Sequence, residues 1–316
     1  MAQTPPRKTR LAPSPTGALH LGNARTFLIN WALARQNDWR IVLRIDDLDG
    51  PRIKKGADKQ AIDILSWLGL DWDEGPYYQS KSVERYETYL QRLLSNNLIY
   101  PCECTRTEIQ AASQSAPHEG SHEIRYPGTC RPMTPVSFTS PIVSSGVGWR
   151  LKTDDKTISF NDRFSGPHAF NPHQEVGDFL MVTKQQTPSY QFSVVIDDHD
   201  QEITDVVRGD DLLNSTARQK LVYEAANIDT LPNYCHLPIV VGSDGKRLAK
   251  RHGDSRIVSY REQRVRPERI IGLIAFWSGR SERAEMSADE FRSWFEIQQL
   301  PRQKIIFTDD DHSWLG

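Results

Sequence analysis

Two stretches of this 316-residue chain hold residue types suited to handling phosphate. The first reads Arg10-Leu-Ala-Pro-Ser-Pro-Thr-Gly-Ala-Leu-His20-Leu-Gly22-Asn23-Ala-Arg25. Pro13 and Pro15 fix φ, while Gly17 and Gly22 let the backbone turn sharply and approach a ligand closely. A helix starting near Asn23 would aim its free N–H groups at an anion above a sheet, and His20 adds a donor for a phosphate oxygen. The second stretch reads Gly245-Lys-Arg-Leu-Ala-Lys250-Arg-His-Gly253. In nucleotidyl transfer, charge grows on phosphate oxygens as pyrophosphate leaves, and a cation such as Lys250 lowers that barrier. Glycines at both ends would let such a loop close over its ligand. Each stretch has a plainer reading: a Pro/Gly turn with a core histidine for the first, a basic surface hairpin for the second.

Acidic groups recur in similar words, Arg44-Ile-Asp46-Asp-Leu-Asp49 and Val195-Ile-Asp197-Asp-His199. If both end strands of one parallel sheet, both face the crevice at the strands' carboxyl ends, where α/β folds bind ligands. A carboxylate there can hold an ammonium group, and a guanidinium can grip a carboxylate with two prongs. Arg208, in Asp205-Val-Val-Arg-Gly209, is a candidate for the second task. An ion pair with Asp205, Asp210 or Asp211 is the plainer role for it.

Of four cysteines, Cys102, Cys104 and Cys130 cluster, while Cys235 stands alone. Clustered thiols in a chain with no export signal suggest a metal more than disulfides. Zinc takes four ligands in a tetrahedron, and thiolates suit it. His118, His122 and Tyr126 all lie close enough in sequence to supply the fourth.

The elements that must position these groups follow from periodicity. Strands are expected at Thr9–Ala12, Trp39–Ile45, Val147–Thr153, Tyr190–Ile196 and Leu237–Val241. Helices are expected at Asn23–Arg35, Ala57–Leu68, Val83–Leu94 and Ser215–Ala226, and again in the tail from Pro267, with Ser287 capping a helix that runs to Phe295. Strand and helix alternate up to residue 100, the pattern of a parallel α/β sheet. Residues 101–188 break it; they are rich in Ser, Thr, Pro and Gly and read as an inserted subdomain, with a mobile loop at Ser113–His122. The sheet resumes over 189–245, and 246–316 carries the basic loop and a helical unit. Hydrophobic residues make up 38% and charged residues 25% of the chain, a soluble globular balance with no membrane-length apolar run. The amino terminus lacks the apolar stretch of a secretory signal, so a cytoplasmic enzyme is the expectation. Net charge is −2, yet Lys246–Arg269 holds nine Lys or Arg against three acids, a local patch suited to RNA phosphates or to a solvated face.

In this order the two phosphate-handling stretches resemble the signatures of class I aminoacyl-tRNA synthetases. His20-Leu-Gly22-Asn23 is similar to the HIGH signature as glutamyl-tRNA synthetases carry it, and Arg247-Leu248-Ala249-Lys250-Arg251 resembles their KMSKS loop, with Arg247 for the first lysine and Ala249 for the first serine. The resemblance implies an α/β, Rossmann-like parallel sheet, an inserted zinc-bearing subdomain and a small helical C-terminal domain. It implies ATP bound at His20, Gly22, Asn23 and Lys250, with Mg²⁺ bridging the phosphates. It places L-glutamate against Arg10, Leu11, Ala12, Pro13, Ser14, Asp46, Tyr190 and Arg208, with Asp46 one methylene shorter than the usual glutamate. The spacing Cys102-x-Cys104 … Tyr126-x-x-x-Cys130 is similar to a structural zinc site in the short paralogues of this family, which implies Tyr126 as fourth ligand. Those paralogues lack the anticodon-binding domain, and they attach glutamate to the queuosine base of tRNA(Asp). Val194, where full-length enzymes usually have Asn, points the same way. A short enzyme charging the tRNA 3′ end and a non-catalytic tRNA-binding paralogue are the alternatives.

Overall fold

The computed structural model describes residues 6–113, 124–134, 146–246, 248 and 255–316. The chain opens with β1 (Lys8–Leu11), α1 (Leu21–Gln36), β2 (Arg40–Ile45), α2 (Ala57–Trp67), β3 (Glu74–Tyr78) and α3 (Val83–Ser95). β2 pairs in parallel with β1 on one side and β3 on the other. Ile41, Val42, Leu43 and Ile45 of β2 are all buried, the run expected of a parallel strand covered on both faces. α3 buries Tyr86, Leu90 and Leu93 along one stripe, whereas Val83 at its first turn is exposed.

The next segment holds β4 (Ile99–Cys102), α4 (Arg106–Ser113), β5 (Gly148–Leu151), β6 (Ile158–Asp162), β7 (Gly166–Phe170), α5 (Pro172–Glu175) and β8 (Leu180–Val182). β4, β5 and β8 form an antiparallel sheet; β6 and β7 form a hairpin. The chain then returns with α6 (Tyr190–Asp200), β9 (Asp205–Gly209), α7 (Leu213–Ala225) and β10 (Asn233–Leu237). β9 and β10 are parallel, and β9 lies beside β1, where the Thr204 N–H donates to the Lys8 carbonyl at 2.9 Å. Across the molecule the strands stand in the order β3, β2, β1, β9, β10, so the direction of winding reverses between β1 and β9. That is where such folds open a crevice.

Tyr190–Ile196 is a correction: it is the helix α6 and not a strand. Phe192 through Asp198 are all buried, so the run is apolar on every side and a period of two fits it as well as a helix does. The expected strand from Leu237 to Val241 is interrupted at Pro238. Its second part is β11 (Val240–Val241), followed by α8 (Ile257–Glu262), α9 (Pro267–Trp277), α10 (Ala288–Trp294), β12 (Ile305–Ile306) and α11 (Asp309–Leu315). β11 pairs with β12. Ser287 caps α10 as expected: its hydroxyl accepts from the Glu290 N–H at 3.2 Å, and Glu290 returns a bond to the Ser287 N–H at 2.7 Å. The tail shares one core with the first unit, where Phe291, Phe295 and Trp277 join Leu28, Leu33 and Leu65. Among the described residues no helix is long and apolar enough to cross a membrane. The Ser113–His122 loop lies almost wholly outside the described residues.

Close approach at α9 depends on Gly272, because a Cβ there would meet the backbone carbonyl of Ala284. Gly272→Ala should therefore destabilise the protein by about 1–3 kcal/mol. A thermal or denaturant unfolding curve indistinguishable from that of the unsubstituted protein would contradict this packing.

Candidate active site

A cleft of about 1050 Å³ opens at the carboxyl ends of β1, β2 and β9, at the reversal of strand order. Its walls include Arg10, Ala12, Pro13 and Ser14 from the exit of β1, and His20, Gly22 and Asn23 from the start of α1. Asp46 enters from β2, Tyr190 from the first turn of α6 and Arg208 from β9. Leu11 is apart from these, its side chain fully buried in the core.

The start of α1 is built by the first signature. The His20 N–H donates to Asn23 Oδ1 at 3.2 Å, which closes the first turn. Gly22 has the His20 ring against it: a Cβ would stand 3.1 Å from the ring carbon. A side chain there would push the imidazole, which accounts for a glycine two residues after the histidine. Lys250, Arg247 and Ala249 lie outside the described residues. The ends of their loop are described. Gly242 N–H donates to the Lys246 carbonyl at 2.8 Å on one side. On the other, Leu21 N–H donates to Ser255 and Ile257 N–H to Leu19, bridging His20 to Arg256.

Beneath the cleft lies a buried charge network. Arg44 donates from Nε to Asp46 Oδ1 at 2.8 Å and from Nη1 to Asp198 Oδ1 at 2.7 Å. Arg10 Nε stands 3.4 Å from the same Asp198 oxygen, and its Nη1 donates to the Val207 carbonyl at 3.3 Å. Asp197 accepts from Gln79 Nε2 at 2.7 Å and from the Tyr86 hydroxyl at 2.8 Å. Both acidic clusters do converge, but Asp197 and Asp198 arrive on a helix and point into the network; Asp46 and Asp49, from the first cluster, line the cleft. Burial pushes Asp46 up to about 6, and Asp197 adds to this against the pull of Arg44.

Arg208 is held on three sides. Its Nε donates to His236 Nε2 at 3.0 Å and its Nη2 to Thr216 Oγ1 at 2.9 Å, with the Leu212 carbonyl at 3.4 Å. Its Cζ lies 5.3 Å from the centre of the Tyr234 ring. Nη1 is buried with no protein partner among the described residues. Of the three plainer partners, Asp205 is taken by Arg7 and Arg163. Arg44, Gln79, Thr216 and His236 were not singled out by the sequence. A polar residue at the carboxyl end of a strand beside the reversal is the signal that would have found His236.

The thiols of Cys102, Cys104 and Cys130 lie within 4.8 Å of one another, a spacing suited to one metal ion. Tyr126 is at the same place: its hydroxyl is 3.5 Å from Cys102 Sγ and accepts from the Cys130 N–H at 2.8 Å. Arg150 Nε donates to Cys102 Sγ at 3.2 Å; with Tyr126 it outweighs burial and holds that thiol below its ordinary range. His118 and His122 lie outside the described residues. Of the basic stretch, Arg261 pairs with Asp63, Arg266 with Glu268 and Glu285, and Arg269 bonds the Trp314 carbonyl. These three arginines thus brace the tail, which reduces the charge left for RNA.

A nucleotide-sized cleft at the reversal of a parallel sheet, with the first signature at one end and a caged guanidinium at the other, defines a class I synthetase site. The chain matches the family model of class I tRNA synthetases (E and Q), catalytic domain, over residues 7–314, and it belongs to that family. It is 42% identical to the glutamyl-Q tRNA(Asp) synthetase of Rhodopirellula baltica, covering 94% of this chain and 91% of that protein. It is 40% identical to the protein of the same name from Symbiobacterium thermophilum, covering 94% of each chain. It is 39% identical to the glutamate–tRNA ligase of Pelobacter propionicus, covering 98% of this chain and 65% of that one. A crystal structure of a glutamate tRNA ligase from Elizabethkingia meningosepticum, in complex with its amino acid, superposes with a TM-score of 0.80 at 28% identity, over 98% of this chain and 68% of that one. The α/β fold is thus that of the class I synthetases.

Cys104→Ser should remove bound zinc, expected at one ion per chain, and lower the melting temperature. Metal analysis of purified protein checks it; a metal-free wild type, or a variant that melts like the wild type, would refute a structural metal.

Proposed function

We propose that this chain activates L-glutamate with ATP and transfers the glutamyl group to the queuosine base at the wobble position of tRNA(Asp). The observation that carries the first half is the buried, unpartnered Nη1 of Arg208 in the same cleft as Asp46 and the start of α1. A buried donor left unpaired costs on the order of 1–3 kcal/mol, so a carboxylate that satisfies it is bound strongly. Glutamate fits: its side-chain carboxylate meets Arg208, its ammonium meets Asp46, and its α-carboxylate is left to react. Arg10, Ala12, Pro13 and Ser14 cradle it, with Tyr190 at the rim, while Leu11 holds the segment to the core.

No side chain need act as nucleophile. An oxygen of the α-carboxylate attacks the α-phosphorus of ATP, the bond to pyrophosphate breaks, and the acceptor then displaces AMP from the adenylate. Catalysis is positioning and charge stabilisation. The N–H groups of α1 at Gly22 and Asn23 and the His20 ring bind phosphate, and Lys250 stabilises the departing pyrophosphate. Mg²⁺ comes with ATP and neutralises its phosphates. One structural Zn²⁺ would be held by Cys102, Cys104, Tyr126 and Cys130; three sulfurs within 4.8 Å of one another and a hydroxyl oxygen beside Cys102 suit that ion.

Two features support queuosine as acceptor. Two relatives at 42% and 40% identity are named glutamyl-Q tRNA(Asp) synthetase. Val194, buried on α6, also follows the short paralogues. The similar identity to glutamate–tRNA ligases keeps 3′-end charging as the second reading.

Labelled glutamate should pass to tRNA(Asp) bearing queuosine, and neither to tRNA(Asp) lacking it nor to tRNA(Glu); labelling of tRNA(Glu) alone would replace this reading by the second. Arg208→Ala should raise KM for glutamate by roughly 10- to 100-fold in ATP–pyrophosphate exchange. Asp46 must be ionised to hold an ammonium group, so KM for glutamate should rise about fourfold between pH 7.5 and 5.5 given its raised pKa of about 6. Asp46→Asn should abolish that pH dependence; a flat profile in the wild type would remove Asp46 from the amino-acid site.

A further inference from the structure

Arg208 reaches the cleft from the end of a buried polar chain that starts in the inserted segment. Asp162, the last residue of β6, is fixed by three backbone N–H groups: its carboxylate accepts from Phe164 at 3.0 Å, Ser165 at 2.8 Å and, shared between its two oxygens, His236 at 3.1 and 3.2 Å. It also lies 2.7 Å from His236 Nδ1, and neither side chain is exposed. A carboxylate can only accept, so Nδ1 carries the proton and Nε2 is left as an acceptor. Two donors converge on that Nε2, the Arg208 Nε–H at 3.0 Å and the Thr216 hydroxyl at 3.3 Å. A proton on Nε2 would oppose both.

We propose that His236 and Asp162 are positioning residues for the amino-acid substrate: the neutral, Nδ1-protonated imidazole locks Arg208 by its Nε so that Nη1 faces the substrate's carboxylate. The inference rests on reading the cleft as a glutamate site. Burial pushes the His236 imidazole down to about 4 and Arg208 adds to this, against the pull of Asp162, so the ring is uncharged at neutral pH.

The interposed imidazole solves a problem that a direct ion pair would create. An aspartate on Arg208 Nε would orient the guanidinium but neutralise it, leaving little attraction for a substrate carboxylate. The neutral ring passes on the orientation imposed by Asp162 while Arg208 keeps its charge. A guanidinium fixed at Nε and Nη2 also presents its free edge at one depth in the cleft. Rigid positioning of this kind favours one side-chain length over another.

The test compares His236→Leu with His236→Gln in the full chain, by glutamate-dependent ATP–pyrophosphate exchange. The leucine variant removes the acceptor; the glutamine variant can return an oxygen to the place of Nε2. His236→Leu is expected to raise KM for glutamate about tenfold or more, leaving KM for ATP largely unchanged, with most of the loss recovered in His236→Gln. An unchanged KM for glutamate in folded His236→Leu, or a parallel rise in KM for ATP, would overturn the proposal. Should the leucine variant fail to fold, ¹⁵N–¹H correlation of the imidazole in the wild type decides the matter at pH 7. A neutral ring protonated at Nδ1 is expected. A ring protonated at Nε2, or at both nitrogens, refutes the locking, whether or not glutamate is activated. Absence of exchange in the wild type alongside the expected tautomer would instead sink the glutamate reading and leave the lock on Arg208 standing.

Discussion

The cleft depends on the buried grip of Arg44 on two aspartates from opposite halves of the chain, Asp46 just past the end of β2 and Asp198 on α6. An arginine with no exposure to water costs several kcal/mol unless it is paired and hydrogen-bonded. Pairing Arg44 therefore requires α6 to dock behind β2, although the whole inserted segment lies between them in sequence. Arg10 on β1 touches the same Asp198 oxygen, so the first strand is drawn into the arrangement. Removing any one partner would strand a charge in the interior, which makes the network a register mark for the two halves more than a source of net stability. Its placement also keeps one carboxylate, Asp46, tied by one oxygen at the wall of the cleft.

The legible parts of the site are those written in local chemistry. Proline and glycine spacing marks the strand–turn–helix at Arg10–Arg25, and the close contact between Gly22 and the His20 ring shows why those two types stand two apart. The thiol cluster is legible because the metal-binding residue types are rare and close in sequence. What sequence alone could not supply is partnership over distance. His236 meets Arg208 across 28 positions and Asp162 across 74, so nothing in its own neighbourhood announces its role. Tyr190–Ile196 misleads for a different reason: a run buried on all sides carries no period that separates strand from helix. Asp197 and Asp198 consequently belong to the support of the cleft and not to its lining.

The inserted segment has two separate duties at its two ends. Near Cys102 it is gathered around three thiols and a tyrosine hydroxyl, where so short a span of loop-rich chain has little apolar core of its own. Near Asp162 it reaches back to the parallel sheet and ends on the residue next to Arg208. An insertion that contributes to the Arg208 end of the cleft ties the unit placed between the two halves to the cleft made by both.

The backbone bridge between His20 and Arg256 has a kinetic meaning. Lys250 is five residues from Ser255, and Ser255 is hydrogen-bonded to the first residue of α1. An extended chain covers at most about 3.6 Å per residue, so the Cα of Lys250 lies no more than roughly 18 Å from that anchor. Part of the entropy of closing the loop between Lys246 and Ser255 is thus settled when the protein folds.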